Sequence, residues 1–150
     1  MLKKTIVSFA LFCALTPAVF AGNSENEQLN KKNVIDFYNK ALNDKDFAAA
    51  RPYLGDRYVQ HNPMAKDGVA GFEQFIAFLK NKYPDSHSDI KQAFVDGDHV
   101  ILHVEVTGRE PDVTRAIIDI FRVDEQHKIV EHWDVTQNVP QKTASGNGMF

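Results

Sequence analysis

Hydrophobic positions follow two rhythms along the chain, and the rhythm changes near residue 88. Before it, Leu29, Val34, Phe37, Tyr38, Ala41 and Leu42 recur at intervals of three and four, which gathers them on one face of a helix. Ser24 and Glu27 have capping-box spacing, so the first helix is expected over about 25–43. Asp46 heads a shorter helical segment, 47–53, closed by Pro52 and Gly55. Residues 58–61 read as a brief extended segment halted by Asn62-Pro63. After Asp67-Gly68, the set Phe72, Phe75, Ile76, Leu79 and Tyr83 predicts a third helix ending at Pro84.

From Ser88 onward the period is two, the signature of strands. Segments 90–96 and 99–110 flank Asp96-Gly97-Asp98, a tight hairpin signal, and 114–124 with 128–137 form a second hairpin. Helices followed by antiparallel strands, with no repeat or linker, predict one α+β domain over 22–140. The tail, 141–150, is rich in Ser, Thr, Asn and Gly and reads as flexible, although Met149-Phe150 is apolar enough to dock. Parity separates the sheet faces: Ile117, Asp119, Phe121 and Val123 share one, and Ala116, Ile118, Ile120 and Arg122 the other. Both are largely apolar. One must meet the helices, and the other is expected to meet a second copy, giving a homodimer through the face opposite Asp119. If Val123 pairs with Ile129, Asp119 lies across from Trp133 and Phe121 across from Glu131, while His132 and Asp134 fall on the opposite face unless a bulge intervenes.

Composition narrows the class. The 150 residues are 43% hydrophobic and 25% charged with one cysteine, which fits a single globular domain and excludes a disulfide scaffold or a disordered chain. Met1-Leu2-Lys3-Lys4, the apolar stretch 5–15 and Thr16-Pro17-Ala18-Val19-Phe20-Ala21 have the three parts of a signal peptide, with cleavage expected after Ala21. An apolar stretch of about 11 residues is short of the ~20 that a bilayer core requires, so no stable membrane insertion is expected after cleavage. The expected location is periplasmic or secreted. Bulky Phe12 before Cys13 argues against lipidation. Loss of Lys3 and Lys4 takes the formal charge from -3 to -5. With no basic run in the body, nucleic acid is not an expected partner.

Asp119 carries the chemistry most clearly, because Ala116-Ile117-Ile118-Asp119-Ile120-Phe121 places one carboxylate in an apolar strand. A charged carboxylate there is costly unless hydrogen-bonded, and that cost suits it either to proton transfer or to a structural hydrogen-bond network. Trp133 and Phe121 could wall a pocket for a planar substrate or simply fill the core. His61, just before Asn62-Pro63, is a candidate acid at a pocket mouth or an ordinary turn residue; Tyr58 is a candidate hydroxyl donor beside it. His103 and Glu131 lie on strands and complete the candidate substrate-binding set. The histidines at 61, 87, 99, 103, 127 and 132 show no metal-ligand spacing, and no Gly-rich phosphate loop or nucleophile elbow occurs, so neither a metal nor a cofactor is expected.

Three segments together, Tyr58-Val59-Gln60-His61-Asn62-Pro63, Asp67-Gly68-Val69-Ala70-Gly71-Phe72, and Ile118-Asp119-Ile120-Phe121-Arg122-Val123 with Lys128-Ile129-Val130-Glu131-His132-Trp133-Asp134-Val135, resemble SnoaL-like proteins of the nuclear-transport-factor-2-like superfamily. The resemblance implies a cone-shaped α+β barrel, with helices closing over a strongly curved antiparallel sheet around an apolar pocket, usually in a dimer. Polyketide cyclases of this type perform an intramolecular aldol condensation without a cofactor, using a pocket aspartate as acid/base, and Asp119 occupies the matching Asp-x-Phe-Arg position. His127 stands in the turn where the family commonly carries Gly, so it is expected at positive φ. With Asp119 catalytic as the resemblance implies, the enzyme reading takes a small apolar carbonyl compound as partner and His61, or a nearby tyrosine such as Tyr58, as the catalytic group that stabilises or reprotonates the enolate oxygen; the alternative is a periplasmic protein that only binds such a molecule.

Overall fold

The computed structural model describes residues 24–150; the expected leader at 1–21, its cleavage site and Cys13 lie outside them. Ser24 caps the first helix, α1 (Glu25–Tyr38), through both bonds of the capping box: Glu27 N donates to Ser24 Oγ at 3.2 Å and Ser24 N to Glu27 Oε2 at 2.7 Å. The helix widens into a π turn, Asn39–Asn43, instead of stopping. There the Asn43 side chain bonds both the N–H and the carbonyl of Ser88, tying the turn to the sheet. Asp46 caps α2 (Phe47–Ala50) by accepting from Ala49 N at 3.0 Å, and a 3₁₀ turn over Arg51–Tyr53 completes the expected second segment.

The remaining elements are β1 (Leu54–Gln60), α3 (Gly68–Lys82), β2 (His87–Asp96), β3 (His99–Glu110), β4 (Val113–Val123) and β5 (Ile129–Asn138). They form one curved, unclosed five-stranded sheet in the order β1-β5-β4-β3-β2. The sheet is mixed, because β1 runs parallel to β5; the two expected hairpins, β2–β3 and β4–β5, are antiparallel, and so is the β3–β4 pairing that joins them. A parallel pair needs a long crossover, and α3 with β2 to β4 supplies it. His127 adopts φ 59°, as expected for the β4–β5 turn, and its ring Nδ1 meets Asn30 Oδ1 on α1 at 2.6 Å.

One sheet face packs against the helices. Val34 and Phe37 of α1 and Ile76 and Leu79 of α3 are buried with Val100, Leu102, Val104 and Val106 of β3. Phe37 stacks on Phe72 at 5.2 Å between ring centres and meets Phe121 edge-on at 6.0 Å, so aromatic rings bridge helix to sheet. Across the other face the C-terminal Phe150 ring lies 5.2 Å from His103. Among the described residues no helix is long and apolar enough to cross a membrane.

The expected strand register needs correction. Val123 does pair with Ile129, but Arg122 pairs with Glu131, leaving Val130 as an extra residue on β5. Beyond this bulge Phe121 faces His132 and Asp119 faces Asp134, instead of Glu131 and Trp133. One inserted residue therefore turns His132 and Asp134 toward the helices and sends Glu131 and Trp133 to the outer face.

Candidate active site

Between the helices and the concave sheet lies a cavity of about 340 Å³. Its wall is mostly aromatic and aliphatic, with Tyr38, Tyr58, Phe72 and Phe121 among the lining residues, and Asp119 and His132 supply its buried polar floor. The two are only 5% and 7% exposed, so their hydrogen bonds decide whether they can be accommodated.

Those bonds form a connected set. Asp119 Oδ2 accepts from Tyr38 Oη at 3.1 Å, and Asp119 Oδ1 lies 2.9 Å from His132 Nε2. His132 Nδ1 lies 2.9 Å from Gln60 Oε1, which also accepts from Asn62 N at 2.9 Å. Because the backbone N–H fixes Gln60 Oε1 as an acceptor, His132 Nδ1 must carry a hydrogen. A proton on either His132 Nε2 or Asp119 Oδ1 then closes the bond between them. The carboxylate and imidazole are a proton-sharing pair, oriented by an amide that leaves only one tautomer available when the ring is neutral.

Two phenols adjoin the pair. Burial, reinforced by the Asp119 charge, pushes the Tyr38 and Tyr58 hydroxyls far above the usual phenol range, so both remain neutral donors. Tyr38 donates its hydrogen bond to Asp119. Tyr58 Oη accepts from Gln60 Nε2 at 3.1 Å, while its own proton has no acceptor among the described residues. Asp134, across from Asp119, is held by Asn62 Nδ2 at 2.8 and 2.6 Å.

Of the residues singled out from the sequence, Asp119, Phe121 and Tyr58 line the cavity. His61, Trp133, Glu131 and His103 do not. The β5 bulge carries Trp133 and Glu131 outward, where the His61 ring stacks on Trp133 at 4.8 Å and within 3° of parallel. Glu131 Oε1 takes His61 Nε2 at 2.8 Å and its Oε2 takes Arg122 Nη2 at 2.6 Å; these bonds hold the Glu131 carboxyl below its ordinary range. His103 sits on the outer side of β3 beneath Phe150. Sequence parity missed His132 and Asp134 for the same reason; Gln60 stood within the quoted 58–63 segment without a role, and Tyr38 was read only as part of an apolar helix face.

Ligand atoms of Asp119, His132 and Asp134 lie within 4.8 Å of one another, the one group among the described residues compact enough to consider for a cation. Both Asp119 oxygens and the Asp134 carboxylate are already engaged by the hydrogen bonds above, which compete with a cation for the same lone pairs.

A model of the SnoaL-like domain matches residues 34–132. Among solved structures, a putative SnoaL-like polyketide cyclase from Jannaschia superposes with a TM-score of 0.66 at 17% identity, covering 78% of this chain and 91% of that one. A putative ketosteroid isomerase from Kribbella flavida gives 0.64 at 15% identity, covering 79% and 84%. A putative polyketide cyclase from Bacillus cereus gives 0.63 at 21%, covering 73% and 74%. At these identities the likeness concerns the fold. No curated protein matches the chain.

Proposed function

Since the chain belongs to the SnoaL-like domain family, we propose that it is a cofactor-free acid/base enzyme that moves a proton at the carbon beside a carbonyl group, in a small and largely apolar compound held in the cavity. The observation that carries this reading is the buried, hydrogen-bonded Asp119–His132 pair on an apolar cavity wall. With the shared proton on His132, Asp119 is a carboxylate ready to accept the carbon-bound proton. Tyr38 keeps that carboxylate oriented. The unassigned Tyr58 proton suits the carbonyl oxygen, where negative charge develops as the enolate forms. Return of the proton to another carbon gives an isomerase outcome, and attack of the enolate on a second carbonyl gives an aldol outcome.

His61, the acid expected beside the site, gives that role to His132 in this reading, because its ring is committed to Trp133 and Glu131. The signal-like segment at 1–21 supports extending the proposal to an exported protein. The apolar outer sheet face supports a homodimer.

Deuterium exchange at the α-carbon of aryl ketones in D₂O tests the reading. Wild-type protein should accelerate exchange, and Asp119→Asn should lose about 10²- to 10⁴-fold, the contribution of a positioned acid or base. Equal exchange by the two proteins would remove Asp119 from the mechanism. A variant that binds the same ketones as tightly as wild type, with neither protein exchanging, would make the cavity a binding site only.

A further inference from the structure

Four charged residues of the cavity wall are left unused by the proton-transfer chemistry; Glu110 and Arg115 pair with each other and Asp134 is held by Asn62, which leaves Arg109 in the cavity. Arg109 lines it, half-buried, and its side chain makes no hydrogen bond or ion pair among the described residues. Its Nε is buried without a partner, as is that of Arg115 nearby, although Arg115 Nη2 is satisfied by Glu110 Oε1 at 2.7 Å. Burial, more than any neighbouring charge, pulls the Arg109 guanidinium below its ordinary range; the surroundings that oppose this are Tyr38, Asp119 and Asp134. A guanidinium remains charged in a protein, so the cost of this burial is retained unless an anion meets it.

The local backbone is built to place this side chain. Val106 pairs with Arg115 and Glu110 with Val113, so the three residues 107–109 stand across from Thr114 alone. Gly108 takes φ 74° within that irregularity. Residues of β3 before it alternate regularly, with Val104 and Val106 inward and His103 and Glu105 outward, and continued alternation would aim Arg109 outward too. The irregular stretch brings it onto the cavity instead.

We infer that Arg109 is the seat of a carboxylate on the ligand, so that the site takes keto acids: an apolar body against the aromatic wall, a ketone at Asp119 and Tyr58, and an acid group at Arg109. The inference rests on the proposed proton-transfer site for the placement of the ketone, whereas the recognition of the acid depends on Arg109 alone. A carboxylate is the favoured anion because one free planar guanidinium offers one bidentate face. A dianionic phosphate would bring a second negative charge toward Asp119, Asp134 and Glu110, which already share the cavity wall. The acid group also explains how a cavity with an acidic floor selects its ligand's orientation: the anionic end is repelled from Asp119 and drawn to Arg109, leaving the ketone at the proton-sharing pair.

The probes are ω-benzoylalkanoates with two, three or four methylenes between ketone and carboxylate, each paired with its methyl ester, and calorimetric titration of the full folded protein is the readout. Wild type should bind at least one acid about 10- to 100-fold more tightly than its ester, the range expected for a charge-assisted hydrogen bond. Arg109→Gln should abolish that preference while keeping the ester affinity, and Arg109→Lys should restore part of it. Acids and esters that bind alike to wild type at every chain length, or an acid preference that survives Arg109→Gln, would overturn the inference. Asp119→Asn separates it from the reading of the reaction: a preference for acids that persists with no α-exchange in any protein would sink the enzyme and keep the Arg109 assignment, while exchange of neutral ketones with no acid preference would do the reverse.

Discussion

Gln60 shows how a neutral side chain governs an acid/base pair. Its carbonyl oxygen, fixed by the Asn62 N–H, holds the hydrogen on His132 Nδ1 and so directs Nε2 to Asp119. Gln60→Leu keeps the approximate size but removes that restraint, and the neutral imidazole can then present either nitrogen to Asp119. Of the three side-chain hydrogen bonds lost, to His132, Asn62 N and Tyr58, the one to His132 orients the acid/base pair, and at about 1 kcal/mol its loss should slow α-exchange by at least roughly fivefold, with ketone affinity changing less than turnover because the ligand's body rests on the aromatic wall. A fall in affinity at constant turnover would show that Gln60 holds ligand instead of positioning His132. Asp119 was legible as a residue because a lone carboxylate in an apolar strand stands out in any register. Its partners were not: a histidine, a tyrosine and a glutamine acquire roles only when the backbone brings their atoms within about 3 Å, and no local pattern encodes that distance.

Strand irregularities determine which side chains reach the cavity. Alternation from Asp119 along β4 was read correctly, but carrying the register across to β5 failed at Val130. The adjacent apolar residues Ile129-Val130 do not mark that bulge, since Ile117-Ile118 and Ile120-Phe121 are adjacent in the same way on β4 where the register is regular. The irregularity around Gly108 does comparable work for Arg109, and here glycine is required by the backbone. Gly108 has φ 74°, and a Cβ built on it would lie 2.8 Å from the Asp85 carbonyl oxygen. Gly108→Ala should therefore destabilise by about 1–3 kcal/mol through strain and the forced shift of the 85–86 backbone. Gly97→Ala is the control, because Gly97 has φ 59° with nothing near its Cβ position, so strain acts there without a clash. Urea unfolding midpoints should rank wild type above Gly97→Ala and Gly97→Ala above Gly108→Ala; equal losses would mean that the approach to Asp85 carries no energetic weight.

At the scale of the molecule, the change of period from helical to alternating was enough to read an α+β domain, because each helix carries an apolar stripe and each hairpin its turn signal. The parallel pairing of β1 to β5 was hidden, since it joins segments almost seventy residues apart and leaves no local mark. The same alternation exposes a consequence for assembly. With one sheet face under the helices, the other still carries half-buried Ile118 and Ile120 and leaves Phe94 and Val135 56% and 69% exposed, more apolar surface than a strand face normally gives to water. Lys91 with Asp89 and Glu105, and Arg122 with Glu131, flank this face at opposite ends, so a second copy in the proposed homodimer would meet apolar surface at the centre and ion-paired side chains at the rim. Sedimentation should find a dimer for wild type, and Val135→Glu, which puts a charge into the centre of that contact, should give a folded monomer by circular dichroism. A wild-type protein that stays monomeric at high concentration would mean that this face, with Phe150 already laid across His103, is covered sufficiently by its own tail.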